Sequence, residues 1–226
     1  MTGRPAAAAP QPLLIACALR IERTALRSTS YRGGRERGAP ERYEVLRTGM
    51  GPRAAERAVG RKLAEPELHG AAVLATGFCA GLLPGMSPGD LIVAEETRDP
   101  RGTVACAGTA LLAEALARAV PGRTVHLGAL TGSDHVVRGQ ERAQLRAGGA
   151  IGVDMESAAT LWTATRGSVE HGADRPVAAV RVIVDAPEHE LVRIGTVRGG
   201  ISAFRVLRAV LPAFYEWHRS LLLPRR

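Results

Sequence analysis

The sequence predicts a single α/β domain of three layers, with helices on both faces of a central, mixed and twisted sheet. Short apolar runs alternate with helical segments along most of the 226 residues, and this alternation is typical of α/β proteins. The length suits one sizeable domain, and no repeat or domain boundary interrupts the pattern. Aromatic residues make up only 4% of the chain, so we expect an aliphatic core. We assign residues 12–226 to this domain and residues 1–11 to a flexible, Ala/Pro-rich tail.

The elements follow from apolar periodicity and from turn residues. Pro52 suits the first turn of a helix, and the composition of residues 28–41, rich in Arg, Gly and Ser, predicts a mobile loop. Strands are expected at 12–18, 43–48, 71–75, 90–95, 124–130 and 177–184, with a further apolar run at 150–153 that ends on acidic residues. Helices are expected at 20–27, 52–63, 111–120 and 155–166, with a long final helix within 191–222.

The formal net charge of +8 first suggests a nucleic-acid partner. However, the arginines are scattered, and no basic run is interleaved with aromatic residues for base stacking. Lys62 is the only lysine, so a compositional bias toward arginine explains the charge better. We expect no nucleic-acid partner.

The cysteines and the apolar runs indicate in which cellular compartment the protein is expected. Cys17, Cys79 and Cys106 form an odd set without CxxC spacing, which argues against a disulfide scaffold and against a metal site. The N-terminal residues lack the apolar core of a signal peptide, and no apolar run reaches 18 residues. We expect a cytoplasmic protein that needs no metal or cofactor.

Acidic residues and glycine-rich turns follow several predicted strands. In open α/β folds, ligands bind at the carboxyl ends of the strands, so we expect Glu22, Glu156 and Asp185 to converge on one cleft with the turns at 48–51 and 76–81. Taken singly, each carboxylate has an ordinary interpretation as a solvated residue, a helix cap or a strand terminator. Their order and spacing favour a site, whereas Asp154 is expected to be structural.

Five segments resemble the nucleoside phosphorylase-I family, which includes purine nucleoside phosphorylases and methylthioadenosine/S-adenosylhomocysteine nucleosidases. Val153-Asp154-Met155-Glu156-Ser157-Ala158-Ala159 is the most specific of the five. The others are 76–82 with its continuation 88–93, 131–134, 180–185 and 18–22. The resemblance covers about residues 13–211 and implies an enzyme that cleaves the N-glycosidic bond of a nucleoside.

The resemblance also implies roles for single residues. Glu156 would accept hydrogen bonds from the ribose 2′- and 3′-hydroxyls, and Met155 would pack against the sugar. Asp185 would protonate or hydrogen-bond N7 of the departing purine, and burial at an apolar strand end favours its protonated form. The transition state would resemble an oxocarbenium ion, as in glycoside hydrolysis.

The base would lie beside the 76–81 and 131–136 segments. Phe78, His135 and Val136 are the expected side-chain contacts, and the backbone around Gly77 is expected to contribute to substrate binding. The base implied by the resemblance is adenine.

The attacking group is either water or phosphate. Glu22 matches the glutamate that activates water in the nucleosidase branch. Ala75 stands where the phosphorylases carry a phosphate-binding arginine. The turn at Gly49 and Gly51, with Arg53 nearby, could still bind phosphate through backbone N–H groups and one guanidinium. This balance favours hydrolysis, with phosphate as an alternative co-substrate.

Two departures from the family pattern bear on which branch of the family the sequence resembles. Val184 replaces the family's serine before Asp185, so a helper hydrogen bond is missing or comes from elsewhere, with His189 as one candidate. The continuation Asp185-Ala186-Pro187 is closest to the hopanoid-associated phosphorylase branch, which implies adenosylhopane as substrate. A methylthioadenosine/S-adenosylhomocysteine or futalosine-type nucleosidase is the alternative, and a non-catalytic purine-binding relative is another.

The resemblance finally implies a homo-oligomer, in which residues 28–41 or 98–108 could complete a neighbour's site. The tail 217–226 pairs apolar and basic residues, which suits peripheral contact with an anionic membrane. A frayed helix end explains the same tail equally well.

Overall fold

Strands and helices alternate along the part of the chain that the structure describes. The computed structural model describes residues 11–27, 42–169, 174–187 and 195–222. The strands are β1 (Leu13–Cys17), β2 (Tyr43–Arg47), β3 (Ala72–Gly81), β4 (Leu91–Asp99), β5 (Gly102–Ala105), β6 (Val125–Gly132), β7 (Ala150–Asp154) and β8 (Val177–Asp185). The helices are α1 (Arg20–Arg27), α2 (Pro52–Leu63), α3 (Thr109–Ala119), α4 (Gln140–Ala147), α5 (Ser157–Val169), α6 (Gly195–Ala209) and α7 (Leu211–Leu221). The loop expected at 28–41 and the first ten residues of the expected tail lie outside these ranges.

The sheet is mixed, as predicted, and it closes on itself at one end. β1 pairs in parallel with β2 and β3, and β3 pairs in parallel with β8. The pairing continues from β8 to antiparallel β4, and then in parallel to β6 and β7. β7 returns to β3 in antiparallel orientation, so Ala80 of β3 pairs with Val153 on one side and with Asp185 on the other. This closure brings the ends of β3, β7 and β8 together.

Helices cover both faces of the sheet, which confirms the predicted three-layer architecture. Successive residues of β1 alternate between the two faces, as strand geometry requires. Leu13 and Ile15 pack in the cluster that contains residues of α1, α3, α6 and α7. Leu14 packs in the cluster of α2 and α5, with Val59 and Leu161. Because both faces are covered, all five residues of β1 are buried, and the strand is continuously apolar.

Three of the few aromatic side chains lie in the core, where only aliphatic residues were expected. Phe214, Tyr215 and Trp217 of α7 are each at most 1% exposed. The Trp217 indole N–H donates a 2.8 Å hydrogen bond to the carbonyl oxygen of Ala107. α7 is therefore a packing helix.

The packing of α7 also bears on the membrane contact predicted for residues 217–226, which stays a prediction. Trp217 and His218 are buried in the core, so neither side chain is available to a lipid surface, and residues 223–226 lie outside the described ranges. Within the described ranges, no helix combines the length and the apolar character that a membrane crossing would require.

The structure also corrects several element boundaries. β3 continues to Gly81, so the segment expected as a turn at 76–81 is strand. β5 and α4 were not predicted, and α4 has no buried side chain and thus no apolar stripe to reveal it. The structure has two helices, α6 and α7, where one long final helix was expected. Pro212 lies in the first turn of α7 and cannot continue the hydrogen bonding of α6.

Candidate active site

A cavity of about 250 Å³ lies where β3, β7 and β8 end, beside α1. Most of the residues predicted for the site line it, and apolar residues such as Met50, Val137 and Val153 form much of the remaining wall. From the predicted set, the lining residues are Glu22, Phe78, His135, Val136, Met155, Glu156 and Asp185. The fold therefore brings three carboxylates that are distant in sequence to one cavity.

Glu156 lies between β7 and α5 and is 8% exposed. Its Oε1 accepts a 2.8 Å hydrogen bond from the backbone N–H of Gly51. Burial raises the pKa of Glu156, while the Arg181 guanidinium and the Gly51 N–H act in the opposite direction. The cap of α5 is Asp154, whose carboxylate accepts from the Ser157 N–H at 3.1 and 3.2 Å. Asp154 is thus structural, as expected, and Glu156 is not needed as a helix cap.

Arg181 is a buried cation next to the carboxylates of Asp154 and Glu156, and no role was predicted for it. It is 1% exposed, and its Nε lies 2.5 Å from Asp154 Oδ2. Its Nη2 lies 3.9 Å from Glu156 Oε2, and its Nη1 donates to the Thr76 carbonyl oxygen at 3.0 Å. A lone arginine in an apolar strand signals buried acidic partners, because an unpaired charge in the core is costly.

Backbone N–H groups of three residues hold the Glu22 carboxylate in place. It is 2% exposed, and its Oε2 accepts from the N–H groups of Ala18 and Leu19, both at 2.8 Å. Its Oε1 accepts from the Phe78 N–H at 3.0 Å. A carboxylate offers about four acceptor positions, so these three bonds leave Oε1 able to accept one more hydrogen bond.

Gly77 makes room for Glu22 and Arg181. A Cβ at this position would lie 2.5 Å from Glu22 Oε1 and 2.6 Å from Arg181 Nη1. Its φ of 136° also lies in the range that favours glycine. Gly77 was predicted to contribute to substrate binding; it is not among the residues that line the cavity, and it provides space for the two charged side chains.

Asp185 ends β8 and is paired with Arg142 of α4. The Arg142 Nη2 makes a close ion pair with Asp185 Oδ2, and Arg142 Nε donates to the Val137 carbonyl oxygen at 3.3 Å. The sequence did not predict this ion pair, and the contact of Asp185 with N7 of the base stays a prediction. Arg142 takes the place of the hydroxyl that Val184 lacks, whereas His189 lies outside the described ranges. Arg142 was missed because α4 itself was not predicted.

The backbone donors of the turn at Gly49 and Gly51, which was considered as a phosphate site, already have partners within the protein. The Gly51 N–H, at the start of α2, donates to Glu156, and the Gly49 N–H donates to the Ala18 carbonyl oxygen at 3.2 Å. Helix N-termini attract anions, and here the Glu156 carboxylate already occupies that position. Arg53 lines a different cavity.

That second cavity has a volume of about 500 Å³. It shares His135 and Met155 with the first cavity, but the carboxylates of Glu22, Glu156 and Asp185 do not line it. The first cavity is therefore the candidate active site, although it is the smaller of the two.

His135 and Val136 lie at the mouth of the first cavity. The His135 ring bonds to Asp134 Oδ1 at 2.7 Å and to Glu141 Oε2 at 3.0 Å. These two carboxylates raise the pKa of His135, with Asp134 as the larger cause. Val136 is 64% exposed, so the predicted base-side contacts border the solvent.

The cysteines contribute no nucleophile. Burial raises the pKa of the Cys17 and Cys106 thiols to about 12, so neither forms a thiolate at neutral pH. Burial also raises the pKa of Cys79. Among the residues that the structure describes, no cluster of three or more His, Cys, Asp or Glu side chains could hold a metal ion.

Solved structures with the same fold are known. A 5′-methylthioadenosine/S-adenosylhomocysteine nucleosidase from Neisseria meningitidis has a TM-score of 0.71 and 20% identity, over 91% of this chain and 99% of that one. An S-adenosylhomocysteine nucleosidase from Streptococcus pyogenes has a TM-score of 0.72 and 19% identity, over 97% and 100%. A futalosine hydrolase from Helicobacter pylori has a TM-score of 0.66 and 16% identity, over 94% and 98%.

The family of the chain follows from a sequence comparison. No curated protein matches the chain significantly. The family model described as phosphorylase superfamily matches residues 40–212, which include β2 to β8 and four of the five segments that resemble nucleoside phosphorylases. The predicted resemblance is therefore confirmed, and the chain belongs to the phosphorylase superfamily.

Proposed function

We propose that the protein cleaves the N-glycosidic bond of an adenosine-type nucleoside and releases adenine, with water as the attacking group. The observation that carries this proposal is the convergence of Glu22, Glu156 and Asp185 on one cavity. The reaction needs a group that activates water, a group that contacts the sugar diol and a group that contacts the base. Glu22, Glu156 and Asp185 suit these three roles in that order. The similar solved structures are named as nucleosidases and a futalosine hydrolase, which supports the same chemistry.

Glu156 acts on the sugar. Its Oε2 accepts hydrogen bonds from the 2′- and 3′-hydroxyls, and these bonds strengthen as positive charge develops on the ribose ring. Arg181, 3.9 Å from that oxygen, keeps the carboxylate in place, and Met155 packs against the sugar. The cavity thus stabilises an oxocarbenium-like transition state.

Glu22 activates the water. The free acceptor position of its Oε1 takes a proton from the water as the water oxygen bonds to C1′. The electron pair of the C1′–N9 bond moves into the purine, whose edge is held by Asp185 and Arg142. The purine takes up one proton from the solvent and Glu22 returns its proton to the solvent, so the products are free adenine and the pentose.

Water is favoured over phosphate on electrostatic grounds. Phosphate would need donors that are free of other partners, but the Gly51 N–H is bonded to Glu156 and Arg142 is paired with Asp185. Arg181 already serves Asp154 and Glu156. An incoming dianion would also meet the carboxylates of Glu22 and Glu156.

The 5′ substituent that we propose is apolar, with adenosylhopane as the first candidate. Met50 and Val136 line the cavity and are each 64% exposed, and Ile21, next to Glu22, is 51% exposed. Exposed apolar side chains at the mouth of a binding site suit an apolar group that extends outward. Methylthioadenosine, S-adenosylhomocysteine and futalosine are the alternatives, since similar solved structures are named for their cleavage.

Adenine release tests this proposal. Adenosine, methylthioadenosine, S-adenosylhomocysteine, futalosine and detergent-dispersed adenosylhopane are each incubated with the protein, with and without phosphate, and free base is quantified. We expect adenine from at least one of the adenosine-type substrates, independently of phosphate. Purine binding without turnover of any of them would instead support a non-catalytic binding protein.

Homo-oligomeric assembly and cytoplasmic location remain predictions. Light scattering coupled to size-exclusion chromatography measures the first, and fractionation of cells that express the protein measures the second.

A further inference from the structure

His135 lies between two carboxylates at the mouth of the active-site cavity. Its ring Nδ1 is 2.7 Å from Asp134 Oδ1, and its ring Nε2 is 3.0 Å from Glu141 Oε2. Ionised carboxylates only accept hydrogen bonds, so each ring nitrogen must donate if both contacts are hydrogen bonds. A neutral imidazole has one donor nitrogen, whereas the imidazolium has two. The geometry therefore requires the protonated form of His135.

The two carboxylates belong to different parts of the chain. Asp134 lies with His135 in residues 133–137, which follow β6 and which we call the mouth segment, whereas Glu141 lies in the first turn of α4. Arg142 of α4 joins the same two parts, since its Nε donates to the Val137 carbonyl oxygen at 3.3 Å. α4 has no buried side chain, and regions with few buried apolar contacts open most readily. Polar contacts are therefore important for holding α4 against the mouth segment.

We propose that His135 forms a pH-sensitive bridge, which as the imidazolium ties the mouth segment to α4 and which opens when the ring loses a proton. His135 and Met155 line both the active-site cavity and the second cavity, so they are part of the wall between the two. When His135 leaves Glu141, the active site gains an opening toward the larger cavity. His135 is thus a positioning residue, which acts on the substrate through the shape of the cavity wall.

The charges around His135 favour the bridged state. Asp134 and Glu141 raise the pKa of His135, with Asp134 as the larger cause, and the same contact lowers the pKa of Asp134. Arg53 acts on Asp134 as a further cation, while Arg138 and Arg146 line neither cavity. The other charged side chains of the two cavities have partners of their own. Glu56 and Asp99 are paired with Arg101, Asp185 with Arg142, and Asp154 and Glu156 with Arg181, and Glu22 accepts from backbone N–H groups.

The bridge holds over a window of pH. Above the lowered pKa of Asp134 and below the raised pKa of His135, an imidazolium lies between ionised carboxylates. As the pH rises through the pKa of His135, the ring keeps one donor and one of its two bonds is lost. The side chains of His135, Asp134 and Glu141 are 57%, 82% and 39% exposed, so water and salt screen both contacts. We therefore expect effects of about two- to fivefold, as exposed ion pairs give.

Three measurements test the bridge, and the first two do not depend on activity. Long-range ¹H–¹⁵N NMR during a pH titration shows which ring nitrogens of His135 carry a proton. Hydrogen–deuterium exchange of residues 133–142, corrected for intrinsic rates, is compared below and above the measured midpoint. Steady-state kinetics over the same pH range gives kcat and KM for adenine release, and this measurement rests on the proposed function.

The variants separate the bridge from its surroundings. Asp134→Asn and Glu141→Gln each remove one negative charge and leave the ring in place, and His135→Gln removes the ring and assigns its NMR signals. The control is His69→Gln, which changes an exposed histidine that lines neither cavity.

In wild type we expect both ring nitrogens of His135 to be protonated at mildly acidic pH, with a midpoint above the ordinary value of 6.5. The midpoint should be lower in Asp134→Asn and in Glu141→Gln. Above the midpoint, exchange of residues 133–142 should be faster and KM higher, each by about two- to fivefold, with kcat changed by less than about twofold. These pH effects should be absent in His135→Gln and retained in His69→Gln.

A wild-type His135 with one protonated nitrogen at mildly acidic pH would overturn the inference. Exchange of residues 133–142 that is equal on both sides of the midpoint would overturn it as well, and both results come from wild type alone. A protein that releases no adenine from any nucleoside contradicts the proposed function instead, while NMR and exchange still decide whether the bridge exists.

Discussion

The backbone N–H of Gly51 donates a 2.8 Å hydrogen bond to Oε1 of Glu156, which places a carboxylate at the N-terminus of α2. This bond joins the turn after β2 to the turn after β7, more than one hundred residues later in the chain. It occupies one oxygen of Glu156 and leaves Oε2 for the substrate. It also occupies a backbone donor that an anionic co-substrate would need, which is one reason why we propose water as the attacking group.

Neutralising Glu156 should impair the chemical step. In Glu156→Gln the hydroxyl contacts are weakened and the negative charge opposite the developing oxocarbenium ion is lost. We expect kcat/KM for adenine release to fall about 10²- to 10³-fold, as for other groups that stabilise transition-state charge. Steady-state kinetics measures this, and Glu114→Gln, on an exposed residue of α3, is the matched control. An unchanged kcat/KM in Glu156→Gln would remove Glu156 from the mechanism.

Removal of the Arg181 guanidinium should destabilise the fold. Arg181→Met leaves the buried carboxylates of Asp154 and Glu156 without their cation. We expect the free energy of unfolding to drop by about 3–5 kcal/mol, the usual cost of breaking a buried ion pair. Urea denaturation measures this against Arg208→Met, an exposed arginine of α6. Equal stabilities of the two variants would show that the buried network contributes little.

Gly77 offers a test of close packing at the site. In Gly77→Ala the new methyl group collides with Glu22 Oε1 and Arg181 Nη1, whereas Gly85→Ala meets no atom within 4 Å although its φ is also positive. We expect Gly77→Ala to be less stable than Gly85→Ala by about 1–3 kcal/mol, as overpacked sites are, and to lose most activity. Similar unfolding midpoints would mean that the two charged side chains can move apart freely.

The raised pKa of Glu156 should make stability depend on pH. Between its ordinary value of 4.5 and its raised value in the fold, the folded state binds more protons at this group than the unfolded state does. Stability from this group therefore falls as the pH rises through that window. The stability of Glu156→Gln relative to wild type should accordingly increase from acidic to neutral pH, as measured by urea denaturation at several pH values. A constant difference would indicate that burial does not penalise the Glu156 carboxylate.

The sequence was sufficient for the fold class and for seven of the residues that line the cavity, including its carboxylates Glu22, Glu156 and Asp185. Apolar runs identified the main strands, and the rule that ligands bind at strand ends identified Glu22, Glu156 and Asp185. These predictions depend on local pattern and on the regular geometry of α/β folds.

The polar partners of those carboxylates could not be predicted in the same way. Arg142 lies on a short polar helix without an apolar stripe, so neither the helix nor the contact with Asp185 was visible. The bond between Gly51 and Glu156 depends on the three-dimensional meeting of two turns. Arg181 is different, because a single charge within the apolar run 177–184 was a signal of buried acidic partners.

The products formed in oxygen-18 water test the central claim most directly. Wild type and Asp185→Asn are incubated with the best adenosine-type substrate in the presence of phosphate, and the products are analysed by mass spectrometry. We expect wild type to yield adenine and a pentose that carries one oxygen-18 atom at C1′, with release at least about 100-fold slower in Asp185→Asn, as for loss of a charge-stabilising group. A pentose 1-phosphate, or equal adenine release by the two proteins, would contradict the account.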